Sequence, residues 1–291
     1  MFQPSQVDVG LVRPEDRYIQ NGHLPQSEEF HIADGQALNL DLVLMSGEDS
    51  TFLVTVLVDY LQTPFTFDGR PGLLHQIDIQ AGKDLFVPVS LNVRGAGAHD
   101  VMFVVFKDPY RHPATHELRS ARQCPLGGKR AVVVVSGDST PLRSFQPDLT
   151  GTAPPPDVTW GTSFLFASPG GVHPSQPEGQ MRLVQEGQAG QAFAYKIWMS
   201  SVGDTQARSL DYALIKFFNY HQVSFSGRNV LFVRLAPQQE ILFDDFITLP
   251  HQAGMHELQI VYVLDPYRSL LQREVATPFV YASDCLGIEV P

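Results

Sequence analysis

The sequence predicts an all-β chain made of two tandem immunoglobulin-like antiparallel β-sandwiches related by internal duplication. Three observations carry that expectation. "HDVMFVVFKDPYR" at 99–111 returns as "HELQIVYVLDPYR" at 256–268, so one structural unit is written twice. Short apolar, β-branched segments alternate with Gly, Pro, Asp and Asn punctuation at roughly 8–15 residue spacing, as many short strands require. No window of helical length sustains a 3.6-residue apolar period, which leaves a βαβ arrangement without crossover helices.

Taken in order, the first copy reads as strands at "STFLVTVLVDY" (50–60), "HQIDIQA" (75–81), "DLFVPVSLNV" (84–93) and "HDVMFVVFK" (99–107). The echo extends outward from the last of these. His99 answers His256 and Asp108 answers Asp265 at an offset of 157, whereas Tyr60 in "LVDYLQTPFTFDG" answers Tyr220 in "FFNYHQVSFSG" at an offset of 160. The second copy is therefore three residues shorter between these points. Further back, "LNLDLVLMSGEDS" answers "FAYKIWMSSVGDT". Between the copies, "QPDLTGTAPPPD" is rich in proline, which lacks a backbone donor and fixes φ, so a semi-rigid linker is expected. The expected organisation is residues 1–145 and 158–291 as two sandwiches, joined by a linker at 146–157.

In the repeated strand, Val101, Phe103 and Val105 point to one face and Met102, Val104 and Phe106 to the other, because side chains alternate along a strand. In the second copy Leu258, Ile260 and Tyr262 form the core face, with Gln259, Val261 and Val263 only partly covered. By correspondence Met102, Val104 and Phe106 form an outer apolar stripe that needs a cover, which a loop, the other domain or a partner chain can supply, and it is expected at an interface with a partner chain or between domains. "DPYR" ends the strand in both copies: the aspartate accepts from the turn that follows and the proline stops the ladder. Tyr110, Arg111, Tyr267 and Arg268 in these turns, together with Trp160, are the candidates for ligand contact. Trp198 lies inside a strand and offers a poor platform.

The chain has a net charge of −11, divided as −6 over residues 1–150 and −5 over 151–291. So even an acidity argues against nucleic acid and anionic lipid, both of which need clustered Lys and Arg. No apolar run reaches the roughly 18 residues that read as a membrane span, so no direct membrane insertion is expected. The start, "MFQPSQVDVGLVRPEDRY", shows neither a basic n-region nor an apolar h-region, which fits a cytoplasmic start or a chain whose leader has been removed. Cys124 and Cys285 have no zinc-ligand spacing and fall at non-equivalent places, so they form one bridge or two separate thiols.

Chemical signatures are few. "HPATHE" supplies His112, His116 and Glu117, the weak candidates for a metal, but the stretch contains Pro113 and its counterpart "SLLQRE" keeps only Glu274; no metal and no cofactor are expected. In "FDDF", adjacent Asp244 and Asp245 face opposite sides of a strand and cannot share one calcium ion. There is no G-x-S-x-G, HExxH, G-x-G-x-x-G or GKS/GKT motif, so the chain reads as no enzyme. The longest irregular stretches, 111–130 and 161–180, are where a function private to this chain is expected.

The segments "AGKDLFVPVSL" (81–91), "AGAHDVMFVVFKD" (96–108) and "AGMHELQIVYVLD" (253–265) resemble the CARDB-type adhesion modules of bacterial and archaeal surface proteins. The resemblance covers about 36–111 and 189–268, and departs from the family where "MSGEDS" and "MSSVGDT" replace an Asn-x-Gly turn. It implies a tandem Ig-like architecture and a non-enzymatic, extracytoplasmic role. The functional expectation is a non-catalytic structural or protein–protein interaction module of a secreted, surface or envelope assembly, binding a protein partner or itself. The alternative is a carbohydrate-binding β-sandwich in which Tyr110, Trp160 and Tyr267 stack on sugar rings.

Overall fold

Alternating apolar side chains drive every main element of this chain into strands. The computed structural model describes residues 7–17, 29–110, 126–137, 145–156, 163–202, 208–267 and 280–291. Two compact units emerge. Unit 1 comprises Met1–Pro109, Cys124–Phe145 and Asp265–Tyr281; unit 2 comprises Tyr110–Gln123, Gln146–Leu264 and Ala282–Pro291. Each unit is thus discontinuous in sequence, where the repeat leads one to expect the contiguous spans 1–145 and 158–291.

In unit 1 the strands are β1 (Val7–Val12), β2 (Glu29–Ile32), β3 (Leu38–Ser46), β4 (Ser50–Val58), β5 (Leu61–Gln62), β6 (Phe65–Phe67), β7 (Arg70–Gly72), β8 (His75–Ile79), β9 (Leu85–Leu91), β10 (Gly97–Lys107) and β11 (Leu126–Val135). One sheet runs β1-β3-β9-β6-β7; the other runs β2-β11-β10-β4-β5, with β8 also on β4. Their facing sides form one core, with Leu40, Leu42, Phe52, Val54, Val101, Phe103, Val105 and Val133 all buried in it. Two sheets that each bury one alternating face against the other are a β-sandwich.

In unit 2 the strands are β12 (Leu149–Thr150), β13 (Ser163–Ala167), β14 (Val184–Glu186), β15 (Ala192–Ser200), β16 (Leu210–Phe218), β17 (His221–Val223), β18 (Val230–Leu235), β19 (Glu240–Thr248), β20 (Gly254–Leu264) and β21 (Tyr281–Val290). A large sheet, β12-β18-β16-β20-β21-β14 with β17 on β16, faces a small one of order β13-β15-β19. Tyr195, Ile197, Ile241, Leu214, Leu258 and Ile260 meet between them. The ladders are antiparallel except at three sheet margins, where β2 on β11, β12 on β18 and β14 on β21 are parallel.

The stretch 146–157, expected as a linker, is partly built into unit 2. Leu149 and Thr150 pair with Val233 and Arg234, and Thr152 bridges Glu240. Of its four prolines, Pro147 precedes the paired residues and those at 154–156 follow the last of these bonds, so none removes a ladder donor.

Candidate interaction edge of the second unit

The repeated residues turn out to hold the frame. Asp59 and Tyr60, between β4 and β5, have φ of 49° and 69°; Asn219 and Tyr220, between β16 and β17, have 47° and 66°. Both are two-residue hairpin turns with left-handed central residues. Asp and Asn adopt that conformation readily, whereas a bulky tyrosine needs to be held there. In unit 1, Tyr60 Oη donates to Asp100 and accepts the Tyr267 N–H at 2.9 Å. Arg130 donates Nε to Asp100 Oδ1 at 2.7 Å and Nη2 to the Asp265 carbonyl at 3.0 Å. Tyr60, Asp100 and Arg130 are all fully buried. In unit 2, Tyr220 Oη donates to Glu257 and accepts the Tyr110 N–H at 2.9 Å. His99 and His256 lock the adjoining loops, each with Nδ1 on the turn residue, Asp59 or Asn219, and Nε2 on a backbone carbonyl.

Electrostatics within these frames differ. Burial opposes the charge of Arg130, but Asp100 beside it outweighs that and holds the guanidinium above its ordinary pKa. Burial, reinforced by Asp100, raises Tyr60 well above the usual tyrosine value. Burial pushes Glu257 up to about 7. The aspartate of the first "DPYR" also ties the turn to the neighbouring strand: Asp108 Oδ1 accepts from the Thr51 N–H at 3.1 Å.

Met102, Val104 and Phe106 are buried on the face of β10 opposite the core. Met102 registers with Arg130 and Leu57, Val104 with Gly128 and Thr55, and Phe106 with Leu126 and Leu53. Two described residues of the stretch Asp265–Tyr281, part of unit 1, meet this sheet: Arg130 donates to the Asp265 carbonyl, and Val280 sits over Gly128. Gln259, Val261 and Val263, expected to be partly covered, are buried as well. Tyr110 is 52% exposed, with its ring edge-on to Tyr220 at 4.9 Å; Tyr267 is half-buried, edge-on to Tyr60 at 4.9 Å. Arg111, His112, His116, Glu117, Cys124, Trp160 and Arg268 lie outside the described residues. Among the described residues no group of three or more His, Cys, Asp or Glu could hold a metal ion. Cys285 is buried in β21.

A different feature stands out in the small sheet of unit 2. In unit 1, β9 is flanked by β3 on one side and by β6 on the other. In unit 2, β19 pairs with β15 along its whole length, and among the described residues the only strand partner on its other side is Thr152, at Glu240. Glu240 exchanges both backbone bonds with Thr152, at 2.8 and 2.9 Å, so the even-numbered residues of β19 aim their N–H and C=O outward. The equivalent of the β6–β7 hairpin shrinks to a bridge between Phe225 and Arg228. The sequence held a signal for this: the second copy is three residues shorter in this very interval.

The side chains of the edge alternate. Ile241, Asp245 and Ile247 face inward and are buried, while Leu242 and Phe246 are 40% and 51% exposed and Asp244 points outward. Cross-strand register sorts the outer face into rows: Leu165, Trp198 and Leu242; then Ala167, Lys196 and Asp244; then Ala194 and Phe246. Lys196 Nζ donates to Asp244 Oδ1 at 2.5 Å.

Buried groups fix both ends of this edge. Glu240 accepts from Trp198 Nε1 at 2.9 Å and lies 2.9 Å from His173 Nε2; His173 Nδ1 lies 2.7 Å from Ser175 Oγ. This clamp holds the loop at 168–180 over Trp198, which is completely buried although it points away from the core. Behind the other end, Asp245 accepts from Tyr195 Oη at 2.5 Å and Lys216 Nζ at 2.7 Å; its Oδ1 is buried and has no partner among the described residues. Lys216 also donates to the Phe246 carbonyl at 3.1 Å and lies over the rings of Tyr195 and Phe225. Burial lowers the Lys216 pKa, and Asp245 pushes it back upward. Of the outward backbone groups between Leu242 and Phe246, only that carbonyl has an internal partner among the described residues.

No family model matches the chain, and no curated protein matches it. Solved structures similar to it include the CARDB domain of a Pyrococcus furiosus protein, at 12% identity over 45% of this chain and 95% of that one, with a TM-score of 0.27. Fibronectin(III)-like modules of Clostridium thermocellum CbhA align at 10% identity over 91% of both chains, with a TM-score of 0.21. The native conformation of Escherichia coli alpha-2-macroglobulin aligns at 10% identity over 99% of this chain and 17% of that one, with a TM-score of 0.29. The Ig-like sandwich assignment stands on the strand pairing described above.

Proposed function

We propose that this protein is a non-catalytic interaction module of a secreted, surface or envelope assembly, and that it receives an extended segment of a partner along β19. The observation that carries this reading is the flank of β19 that stands open among the described residues: outward backbone donors and acceptors from Leu242 to the Phe246 N–H, bordered by two exposed apolar side chains. A strand with unpaired ladder groups and alternating apolar residues is a template for strand addition, in which main-chain bonds give affinity and alternate side chains give selectivity. Met102, Val104 and Phe106 are buried and form no part of this surface.

A carbohydrate-binding role has less support. The cleft of about 340 Å³ in unit 1 is lined by Pro14, Arg17, Asn39, Asp41, Thr66 and Ser90 among others and carries no aromatic ring on which a sugar could stack.

The test is selection of displayed random peptides on the full chain, followed by binding to Asp244→Pro. Proline at this outward-facing position removes one edge donor and is tolerated on a strand margin. Selected peptides are expected to compete with one another and to lose binding to the variant. Peptides that bind Asp244→Pro as well as the parent protein would place recognition elsewhere.

A further inference from the structure

We propose that the segment received by β19 is a basic strand, with Lys or Arg at one position and apolar residues two before and two after it. This rests on the edge reading above and adds the chemistry of the occupant.

The rows of the small sheet supply the argument. Side chains directly opposite one another across a ladder interact, so a strand added outside β19 continues each row by one place. The place beside Leu165, Trp198 and Leu242 is apolar, and so is the place beside Ala194 and Phe246. Between them lies the row of Ala167, Lys196 and Asp244. The Asp244 side chain is 73% exposed, and one of its oxygens is taken by Lys196 on the inner flank. A cation on the outer flank completes a plus–minus–plus row, whereas an anion there sits directly opposite a like charge.

The same row decides against a second copy of this chain. Two β19 strands paired about a two-fold axis set Leu242 against Phe246 of the other copy only in the register that also sets Asp244 against its own equivalent. The formal charge of −11 adds a long-range repulsion to that local one. Backbone geometry adds that the incoming strand lies beyond Thr152, which already occupies the place opposite Glu240. The occupied length is therefore Leu242 to Thr248, enough for the three rows.

The experiment titrates the full chain with fluorescent peptides of palindromic sequence, Thr-Val-Thr-Lys-Thr-Val-Thr and its Gln-centred and Glu-centred versions, so that parallel and antiparallel docking present the same rows. Circular dichroism and thermal melts establish that each protein variant is folded. The Lys peptide is expected to bind roughly two- to fivefold tighter than the Gln peptide and tighter still than the Glu peptide, the range of a cross-strand ion pair, with the difference fading at high salt. Asp244→Lys is expected to invert the order in favour of the Glu peptide. If Lys and Gln peptides bind alike and both are lost with Asp244→Pro, the edge is a docking site but its basic preference is refuted. If no peptide binds, or binding survives Asp244→Pro, the edge reading itself falls. If the chain sediments as a dimer that Asp244→Pro dissociates, the occupant is a second copy and the proposal is overturned.

Discussion

Glu257 and Asp100 occupy the same place in the repeated frame, each receiving the hydroxyl of a left-handed tyrosine, and Asp100 is in addition locked in a bidentate pair with a buried arginine. Breaking such a pair from one side costs about 3–5 kcal/mol, since the remaining charge stays buried. Glu257 stores its information in pH. Its folded pKa of about 7 lies above its ordinary value of 4.5, so between these values the folded state binds more protons than the unfolded one. Stability from this group is complete below 4.5 and is lost as pH rises through about 7. Asp284, raised by burial to about 6, acts in the same direction. Glu257→Gln is therefore expected to flatten the fall in stability across that window by up to about 3 kcal/mol, read from urea midpoints against pH. An unchanged slope would mean that Glu257 is ionised throughout in the folded protein.

Among the elements, β10 and β19 show what an alternating pattern reveals and what it conceals. Core faces were legible: Val101, Phe103 and Val105 point inward, as their spacing requires, and the duplicated "DPYR" marks the end of the same strand in both copies. Cover and edge were not legible, because they depend on neighbours far away in sequence. Nothing in "EILFDDFIT" distinguishes a central strand from a margin, although the three-residue contraction marks where the flanking hairpin is lost. The roles of Tyr60 and Tyr220 are hidden for a related reason, since left-handed tyrosines look like strand residues until their partners are known. Gly128 illustrates cover at its tightest: a Cβ there would lie 2.7 Å from the Val280 Cβ. Gly128→Ala is expected to destabilise unit 1 by about 1–3 kcal/mol through overpacking, and Val280→Ala in the same chain to recover part of it. Additive losses in a double-mutant cycle of thermal or urea unfolding would contradict this packing.

At the level of the whole molecule, repetition was plain in the sequence, while the discontinuity of the two units was hidden by it. An offset between copies says that two units share a pattern; it does not say which unit each connecting segment packs with. The expected cut at 146–157 separates unit 1 from Asp265–Tyr281. A fragment of residues 1–145 is accordingly expected to expose the Met102, Val104 and Phe106 face, bind a hydrophobic dye and melt lower than unit 1 does in the full chain. Adding a synthetic 265–281 peptide is expected to raise that melting temperature. A fragment that is dye-silent, monomeric and unaffected by the peptide would show that this segment contributes little.

That segment also sets a clock during synthesis. Roughly 120 residues separate the end of the second stretch of unit 1 from the start of its third, and at about 5–20 residues per second they take on the order of ten seconds to translate. For that interval a nascent first sandwich lacks Asp265, Tyr267 and Val280, which in the finished unit meet Arg130, Tyr60 and Gly128. Completion of the N-terminal sandwich thus waits for residues 265–281, which follow most of the C-terminal one in the chain.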